Sequence, residues 1–194
     1  MQDHLPDFSV KIAETAEELR EAQALRFQVF VQELGGSGDL VDHHAGLERD
    51  DFDPFVDHLL VRDNTSGTLA GVYRLLREDQ ANQAGQFYSE DEYDLTDLRA
   101  SGRKLLELGR SCLHPEYRGG TAMFHLWSGL ADYVEQHSIE VLFGVASFHG
   151  TDPSVLASPL TMLRQNHLAP IGLRVRAKTY QSMDLVPPEI LDRR

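Results

Sequence analysis

The feature that most constrains the fold is a predicted strand–helix–strand unit in the second half of the chain. The run LLELGRSCL at 105–113 has the mostly apolar pattern of a buried strand. Apolar residues then recur at helical spacing between 120 and 137, namely Met123, Leu126, Trp127, Leu130 and Val134. A second apolar run, IEVLFGVA at 139–146, reads as another buried strand. Because two strands joined by such a crossover pair in parallel, we expect a mixed α/β domain.

The first half of the chain predicts antiparallel strands. A strand is expected at 8–13 and a β-hairpin at 57–63 and 68–76. Thr15, with Glu18 three residues later, forms a capping-box pattern that begins a helix running towards Leu34.

Weaker signals complete the order of elements. We expect a long loop at 35–51, a polar excursion with a short helix at 77–95, a helix at 152–167 and a closing strand at 172–180. The predicted class is therefore α/β (an α+β mixed sheet), with a central, mostly antiparallel sheet flanked by helices. We predict a single domain over residues 1–194.

Composition excludes several classes of protein. A net charge of −13 argues against binding to nucleic acid, which requires a basic surface. The only cysteine is Cys112, so no intrachain disulfide can form and a cytoplasmic location is expected. The sequence predicts neither a membrane-spanning helix nor a signal peptide. Basic residues that could attract an acidic partner are concentrated late in the chain, at Arg164, Arg174, Arg176, Lys178, Arg193 and Arg194.

Two charged residues in the strand at 105–113 suggest chemistry. Glu107 and Arg110 have opposite parity, so on a regular strand they would face opposite sides of the sheet. A β-bulge near Gly109 would bring them to one side, and bulges beside active sites expose N–H groups that stabilise an oxyanion. A purely structural ion pair is the alternative.

The strand at 105–113 is followed by a predicted phosphate-binding loop. Arg118, Gly119, Gly120 and Thr121 immediately precede the helix at 120–137. Backbone N–H groups at a helix N-terminus, together with the helix dipole, favour an anion such as phosphate.

These motifs together resemble the GNAT-type N-acyltransferases. LRFQVFVQELG, DFDPFVDHLLV, GVYRLL, LELGRSCLHPEYR and LFGVASFHG look most like the ornithine Nα-acyltransferases that begin ornithine-lipid synthesis. The same skeleton is similar to the acyl-homoserine-lactone synthases. That resemblance implies functional roles for a first-helix arginine, acids in the following loop, a second arginine and a Glu-x-x-Arg strand, which fall here on Arg26, Asp50 or Asp53, Arg74, Glu107 and Arg110.

The resemblance also implies the acyl donor. Thr121 and Met123 replace the small residues of the usual GNAT loop, which leaves less room for the pyrophosphate of coenzyme A. Acyl-phosphopantetheine on acyl carrier protein, often 3-hydroxyacyl, carries only one phosphodiester and fits better, with coenzyme A as the alternative donor. The late basic residues would then dock the carrier protein. Relatives of this branch usually continue beyond the end of this sequence.

The implied reaction transfers the acyl group to the α-amine of ornithine and yields lyso-ornithine lipid, so peripheral membrane contact is expected. Glu107 is the candidate general base, and the N–H groups of Cys112 and Leu113 are candidate oxyanion donors. Arg26, Arg74 or Arg110 would bind the acceptor's carboxylate. The remaining candidate substrate-binding residues are Asp50, Asp53, Phe30 and Ser147.

Other readings stay open at this stage. The acceptor could be another amino acid or a homoserine-lactone precursor, and the donor could be acetyl-CoA. A non-catalytic GNAT-like shell that binds acyl chains or carrier protein is a different class of function. Cys112 as a nucleophile and a hydrolase triad of Ser147, His149 and Asp152 are both disfavoured. No metal site is expected, because His43 and His44 read as a solvated loop.

Overall fold

The computed structural model describes residues 7–187 of the chain. In chain order the strands are β1 (Phe8–Ile12), β2 (Asp57–Asp63), β3 (Leu69–Arg77), β4 (Tyr93–Asp94), β5 (Leu105–Leu113), β6 (Val141–Phe143) and β7 (Arg176–Ala177). The α-helices are α1 (Ala16–Arg26), α2 (Glu78–Ala84), α3 (Thr96–Arg99), α4 (Ala122–His137) and α5 (Ala157–Asn166). Short 3₁₀ turns lie at Tyr88–Asp91, Pro115–Tyr117 and Ile171–Leu173.

The described residues form two compact units, one of residues 7–88 and 104–144 and another of 89–103 and 145–187. The first contains a five-stranded sheet in the order β1-β2-β3-β5-β6. Neighbouring strands are antiparallel except β5 and β6, which are parallel as the crossover pattern predicted. The predicted mixed, mostly antiparallel sheet flanked by helices is therefore confirmed. The prediction of a single domain stays a prediction.

Helix α1 begins and ends as its sequence dictates. The Thr15 side chain accepts a hydrogen bond from the Glu18 N–H, and the Glu18 carboxylate accepts one from the Thr15 N–H, which completes the predicted capping box. The helical path continues beyond Arg26 as a π-helix over Phe27–Glu33. A π-helical turn inside a helix often marks a functional site, and the last residue of α1 is one of the candidate site arginines.

Apolar side chains cover both faces of the sheet. On one face, Leu59 and Val61 of β2 pack with the buried stripe of α4 that includes Leu126 and Leu130. On the other face, Leu60 of β2 packs with α1. The alternation along β2 follows from the twofold periodicity of a strand, and it places α1 and α4 on opposite sides of the sheet.

Strands β5 and β6 are paired over a short length. Only Leu105, Leu106 and Glu107 of β5 pair with β6. A Cβ on Gly144, immediately after β6, would lie 2.3 Å from the Leu108 carbonyl oxygen, so this position requires glycine where pairing ends. The edge of β5 from Leu108 to Leu113 is consequently not covered by β6.

Three details of the predicted order were wrong. The run at 139–146 is not a buried strand, because β6 spans only Val141–Phe143 and Leu142 is 43% exposed. Helix α5 begins at Ala157, and Asp152 instead accepts a hydrogen bond from the Ser154 N–H in the preceding turn. The closing strand is reduced to β7, which pairs with β4 in the second unit. Contacts in the tertiary structure, rather than the local apolar pattern, determined the secondary structure of each of these segments.

Within residues 7–187, no helix is long and apolar enough to cross a membrane.

Candidate active site

A β-bulge in β5 sets the geometry of the site. Val72 of β3 pairs with Cys112 and Arg74 with Gly109, so Arg110 and Ser111 together face the single residue Tyr73. Arg110 adopts a left-handed backbone conformation with φ of 52°. This is the bulge that the sequence predicted near Gly109. Because of it, the side chain of Arg110 lies on the α1 side of the sheet, the side on which Glu107 also lies.

The arginine at the end of α1 is held entirely by acidic and carbonyl groups. Arg26 is 1% exposed. Its Nε donates to the Glu48 carboxylate at 2.6 Å, and its Nη1 and Nη2 donate to the two Asp53 carboxylate oxygens at 2.9 and 2.7 Å. A further bond from Nη2 reaches the Glu48 carbonyl at 2.6 Å. Arg26 is therefore a structural cation that joins α1 to the loop before β2.

Two more arginines share the same acids. Arg74 Nη1 donates to both Asp50 carboxylate oxygens at 2.7 and 2.6 Å, and it lies 3.4 Å from Asp53. Arg110 Nε donates to Glu48 at 2.9 Å, and its Nη2 lies 3.4 Å from Asp50. These three arginines and three acids form what we call the charge cluster: Arg26, Arg74, Arg110, Glu48, Asp50 and Asp53.

The members of the charge cluster differ in the donors that they leave open. Among the described residues, Arg74 forms hydrogen bonds only through Nη1, whereas Arg110 bonds to Glu48 through Nε, lies close to Asp50 through Nη2 and also interacts with the Tyr88 side chain. No buried side-chain nitrogen in the described part of the chain lacks a hydrogen-bond partner. The Nε and Nη2 of Arg74 must therefore reach solvent-accessible space, whereas all three nitrogens of Arg26 bond within the cluster.

Arg74 and Glu107 line the same recess. It is lined by Arg74, Leu76, Tyr88, Glu107, Leu108 and Gly109. Glu107 is 3% exposed, and its carboxylate accepts a hydrogen bond from the Tyr88 N–H at 2.7 Å. The recess thus brings a carboxylate and an arginine with open donors to the point where β5 and β6 stop pairing.

Tyr88 forms one wall of this recess. The ring centroid of Tyr88 lies 5.3 Å from the guanidinium carbon of Arg74 and 4.9 Å from that of Arg110. Such cation–π contacts hold both guanidinium groups against the ring. Tyr88 therefore fixes three functional groups at once, the two arginines through its ring and Glu107 through its main chain.

The surroundings shift the pKa values of several groups. Burial acts to raise the pKa of Asp53, but the hydrogen bonds and charge of Arg26 outweigh it and hold the pKa below its ordinary value. Burial lowers the pKa of His58, whose Nε2 lies 3.3 Å from the Asp53 carbonyl oxygen, so this ring is neutral at pH 7. Burial also raises the pKa of the Cys112 thiol to about 12. A thiol that stays protonated at pH 7 is a poor nucleophile, which agrees with the reading of Cys112 as a packing residue.

The two predicted oxyanion donors do not have equivalent positions. The His114 N–H donates to the carbonyl oxygen of Ala70 in β3, at 2.9 Å. Because N–H direction alternates along an antiparallel strand, the Cys112 N–H also faces β3 and the Leu113 N–H faces the opposite edge. The Leu113 carbonyl, on that opposite edge, accepts a bond from Arg118 Nε at 3.3 Å. The geometry therefore favours Leu113 over Cys112 as an oxyanion donor.

The predicted phosphate loop lies between β5 and α4. Gly119 has a φ of +77°, a left-handed conformation that favours glycine. Thr121 precedes the first residue of α4, and no side chain caps this end of the helix. Gly120 has room for a Cβ, the nearest atom being the Tyr117 carbonyl oxygen at 3.7 Å. The first-turn N–H groups of α4 are thus available to an anion.

Two candidate residues are not members of the charge cluster. Phe30, on the π-helix, is half-buried and packs against the apolar core under α1. Ser147 is exposed and belongs to the second unit. Their proposed substrate contacts stay predictions.

Sequence reasoning missed Glu48 and Tyr88. Glu48 is 6% exposed and joins Arg26 to Arg110. The acid-rich stretch GLERDDFDPF contained the signal for Glu48, but its spacing alone did not distinguish buried acids from solvated ones. Tyr88 lies in a polar excursion, and only the tertiary fold reveals its contacts.

Comparison with known proteins identifies the family of the chain. Residues 25–128 match the family model described as an acetyltransferase (GNAT) domain. Among solved structures, the AHL synthase LasI superposes with a TM-score of 0.54 at 21% identity, covering 73% of each chain. FeeM, an N-acyl amino acid synthase from uncultured soil microbes, gives a TM-score of 0.50 at 17% identity over 71% of this chain and 70% of FeeM. The fold and the family model together define an N-acyltransferase of the GNAT class.

Relatives of known activity narrow this class. The L-ornithine N(alpha)-acyltransferase of Rhodobacter capsulatus is 57% identical over 192 residues, which cover 96% of this chain and 74% of the relative. The enzyme of the same name from Brucella abortus is 42% identical, covering 94% of this chain and 68% of the relative. The chain therefore belongs to the L-ornithine N(alpha)-acyltransferase family.

The charge cluster predicts that Arg26 is essential for stability. Replacing Arg26 with Met leaves the buried Glu48 and Asp53 carboxylates without their main counter-charge, which should lower the free energy of unfolding by about 3–5 kcal/mol. The control is Arg62→Met, which removes a cation paired with Glu21 where the two side chains are 29% and 40% exposed, and it should cost about 0–1 kcal/mol. Urea unfolding followed by circular dichroism measures both. Equal losses in the two variants would contradict a structural role for the buried cluster.

Proposed function

We propose that this chain transfers a long-chain or 3-hydroxyacyl group from acyl carrier protein to the α-amine of L-ornithine, forming lyso-ornithine lipid. The observation that carries the proposal is the 57% identity to a protein named L-ornithine N(alpha)-acyltransferase over 96% of the chain. The contents of the recess support it, since a base and a carboxylate-binding cation are what amide formation on an amino acid requires.

The open donors of the charge cluster favour a particular binding mode for the acceptor. Arg74 has Nε and Nη2 available in the recess, and these two nitrogens match the two oxygens of a carboxylate. Arg110, which is 25% exposed, can add a second cation. Arg26 takes no part in this binding, because it is 1% exposed and all three of its nitrogens bond within the charge cluster. Asp50, 20% exposed, is the cluster acid best placed to attract the acceptor's side-chain ammonium.

Glu107 then acts on the acceptor's amine. A model α-ammonium has a pKa of about 8, so presenting it neutral at pH 7 costs about 1.4 kcal/mol. Glu107, directly or through a water molecule, accepts a proton as the amine nitrogen bonds to the thioester carbonyl carbon. The carbonyl oxygen becomes an oxyanion, which the Leu113 N–H would stabilise. Collapse of this intermediate breaks the carbon–sulfur bond, and the thiolate leaves and takes up a proton, giving the amide and free phosphopantetheine thiol.

The acyl donor would approach the edge of β5 from the side opposite the acceptor. Arg118, Gly119, Gly120 and Thr121 precede α4, whose first-turn N–H groups can bind a phosphodiester. Its pantetheine arm would lie along the edge of β5 that β6 does not cover, with the thioester near Leu113. Phe30 and the apolar residues below α1 are candidates for contact with the acyl chain.

The carrier protein and the product suggest two further contacts. Arg164, Arg174, Arg176 and Lys178 of the second unit are candidates for docking an acidic carrier protein, although Arg176 lies 3.5 Å from Asp97 and Lys178 bonds to the Glu90 carbonyl. Arg193 and Arg194, named with them from the sequence, lie outside the described residues. Release of a lipid product favours peripheral contact with a membrane from the cytoplasmic side.

Amide formation tests the proposal directly. The full chain is assayed with 3-hydroxyacyl-carrier-protein, the matching acyl-CoA and acetyl-CoA, each against ornithine and a panel of amino acids. We expect turnover chiefly with the carrier-protein donor and ornithine. Preference for another amino acid would overturn ornithine as the proposed acceptor. Efficient acetyl transfer would overturn the proposed carrier-protein donor. Absence of turnover with every pair would favour a binding shell.

Glu107 is expected to control turnover more than binding. Glu107→Gln keeps the side-chain shape and its oxygen acceptor for the Tyr88 N–H but removes the base, so kcat should fall about a hundredfold. The KM for ornithine should change by no more than about threefold, because the carboxylate contact through Arg74 is retained. Glu116→Gln, an exposed acid in the turn after β5, is the control with the same charge change. An unchanged kcat in Glu107→Gln would remove Glu107 from the mechanism.

A further inference from the structure

Arg118, the side chain that would bind the donor's phosphate, already forms an ion pair. Both terminal nitrogens of Arg118 donate to Glu33, Nη1 to one carboxylate oxygen and Nη2 to the other, each at 2.7 Å. Arg118 Nε bonds to the Leu113 carbonyl, so the guanidinium is held at the end of β5 beside the start of α4. Glu33 is the last residue of the π-helix, and its position depends on that irregular extension of α1.

This arrangement changes the charge balance of the phosphate loop. The loop residues 118–121 contain one cation, Arg118, and Glu33 neutralises it. The remaining attraction for an anion comes from N–H groups and the dipole at the start of α4. A phosphate that reaches Arg118 must also come close to the Glu33 carboxylate, because both carboxylate oxygens bond to the same guanidinium.

The repulsion from Glu33 grows with the charge of the donor. A phosphodiester of phosphopantetheine on a carrier protein carries about one negative charge, whereas coenzyme A, with its pyrophosphate and 3′-phosphate, carries about four near pH 7. One neutralised cation and a helix N-terminus can balance the first but not the second. Dense negative charge beside a fixed carboxylate is a repulsive element of the kind that gives binding specificity.

We propose that Glu33 is a specificity-determining residue that selects a donor with a single phosphodiester and disfavours coenzyme A thioesters. This inference rests on the proposed function and extends it by naming the residue that discriminates between the donors. It differs from a steric argument based on Thr121 and Met123, because it predicts that discrimination is electrostatic and depends on salt.

Stability does not explain the Glu33–Arg118 pair. The two side chains are 40% and 41% exposed, and ion pairs at such positions contribute little to folding. Removing the Glu33 charge should therefore leave the fold intact, and the variant can be tested for a gain of activity rather than a loss. A gain cannot arise from partial unfolding.

The test compares Glu33→Gln with the wild-type chain on two donors that carry the same acyl group, acyl-carrier-protein and acyl-CoA, with ornithine as acceptor. Coenzyme A carries about three more negative charges than the phosphodiester. At about 8 Å from the Glu33 carboxylate, these charges should weaken binding roughly fivefold at low salt. We expect kcat/KM for acyl-CoA to rise about fivefold relative to that for the carrier-protein donor. The relative gain should shrink at 0.5 M salt. Glu17→Gln, an exposed acid in the first turn of α1, is the charge-matched control and should leave the ratio unchanged.

Binding measurements make the test independent of turnover. The dissociation constants of coenzyme A and of 4′-phosphopantetheine are measured for both proteins by calorimetry, and Glu33→Gln should tighten coenzyme A more than phosphopantetheine. Equal ratios in the variant and the wild type, or an equal shift in Glu17→Gln, would overturn the role of Glu33. A wild-type chain that uses acyl-CoA as well as acyl-carrier-protein would instead overturn the proposed donor, an outcome visible before any variant is made.

Discussion

The structure of the site depends on the mutual neutralisation of three arginines and three acids on the α1 side of the sheet. Placing an unpaired charge in the protein interior is strongly unfavourable, so a buried group of this kind persists only when its partners are complete. Arg26, Glu48 and Asp53 are each at most 6% exposed and satisfy one another. Through them the end of α1, the loop before β2 and strands β3 and β5 are fixed relative to one another.

The same residue type performs different tasks in this cluster, according to how many donors remain open. Arg26 uses all of its nitrogens internally and is a structural cation. Arg74 is anchored through Nη1 alone and retains two nitrogens, Nε and Nη2, for a ligand. Arg110 reaches the cluster only because the bulge in β5 turns it to the α1 side. The acids hold the arginines in place, so the Nε and Nη2 of Arg74 have defined positions beside Glu107. A catalytic site requires this kind of pre-organisation.

Local sequence signals predicted the framework of the fold. The capping box at Thr15, the hairpin, β5, α4 and the parallel β5–β6 pairing were all evident from pattern, because each follows from short-range spacing. The bulge was also predictable. Glu107 and Arg110 have opposite parity, so a regular strand cannot place them on one side of the sheet, and Gly109 lies between them. The apolar run at 139–146 misled because apolar pattern does not reveal how long a strand stays paired.

The partners within the site were harder to predict. Glu48 and Asp53 come from a segment between α1 and β2 with no periodicity, and their burial depends on contacts with residues more than twenty positions away. The pairing of Glu33 with Arg118 joins residues 85 positions apart and depends on the π-helical extension of α1. Nothing in the local sequence encodes these long-range contacts, so resemblance could name Arg26 and Arg74 together but could not separate their tasks.

The most direct test of this account is a double cycle between Arg74 and the acceptor's carboxylate. Ornithine and ornithinamide, which lacks the carboxylate charge, are compared as acceptors for the wild-type chain and for Arg74→Lys, which keeps the charge that balances Asp50. A charge-assisted, two-nitrogen contact predicts that the wild-type chain prefers ornithine in kcat/KM by about thirtyfold. In Arg74→Lys that preference should largely disappear, with ornithinamide little affected. If the variant lowers both acceptors by the same factor, Arg74 is a structural cation like Arg26 and the carboxylate is bound elsewhere.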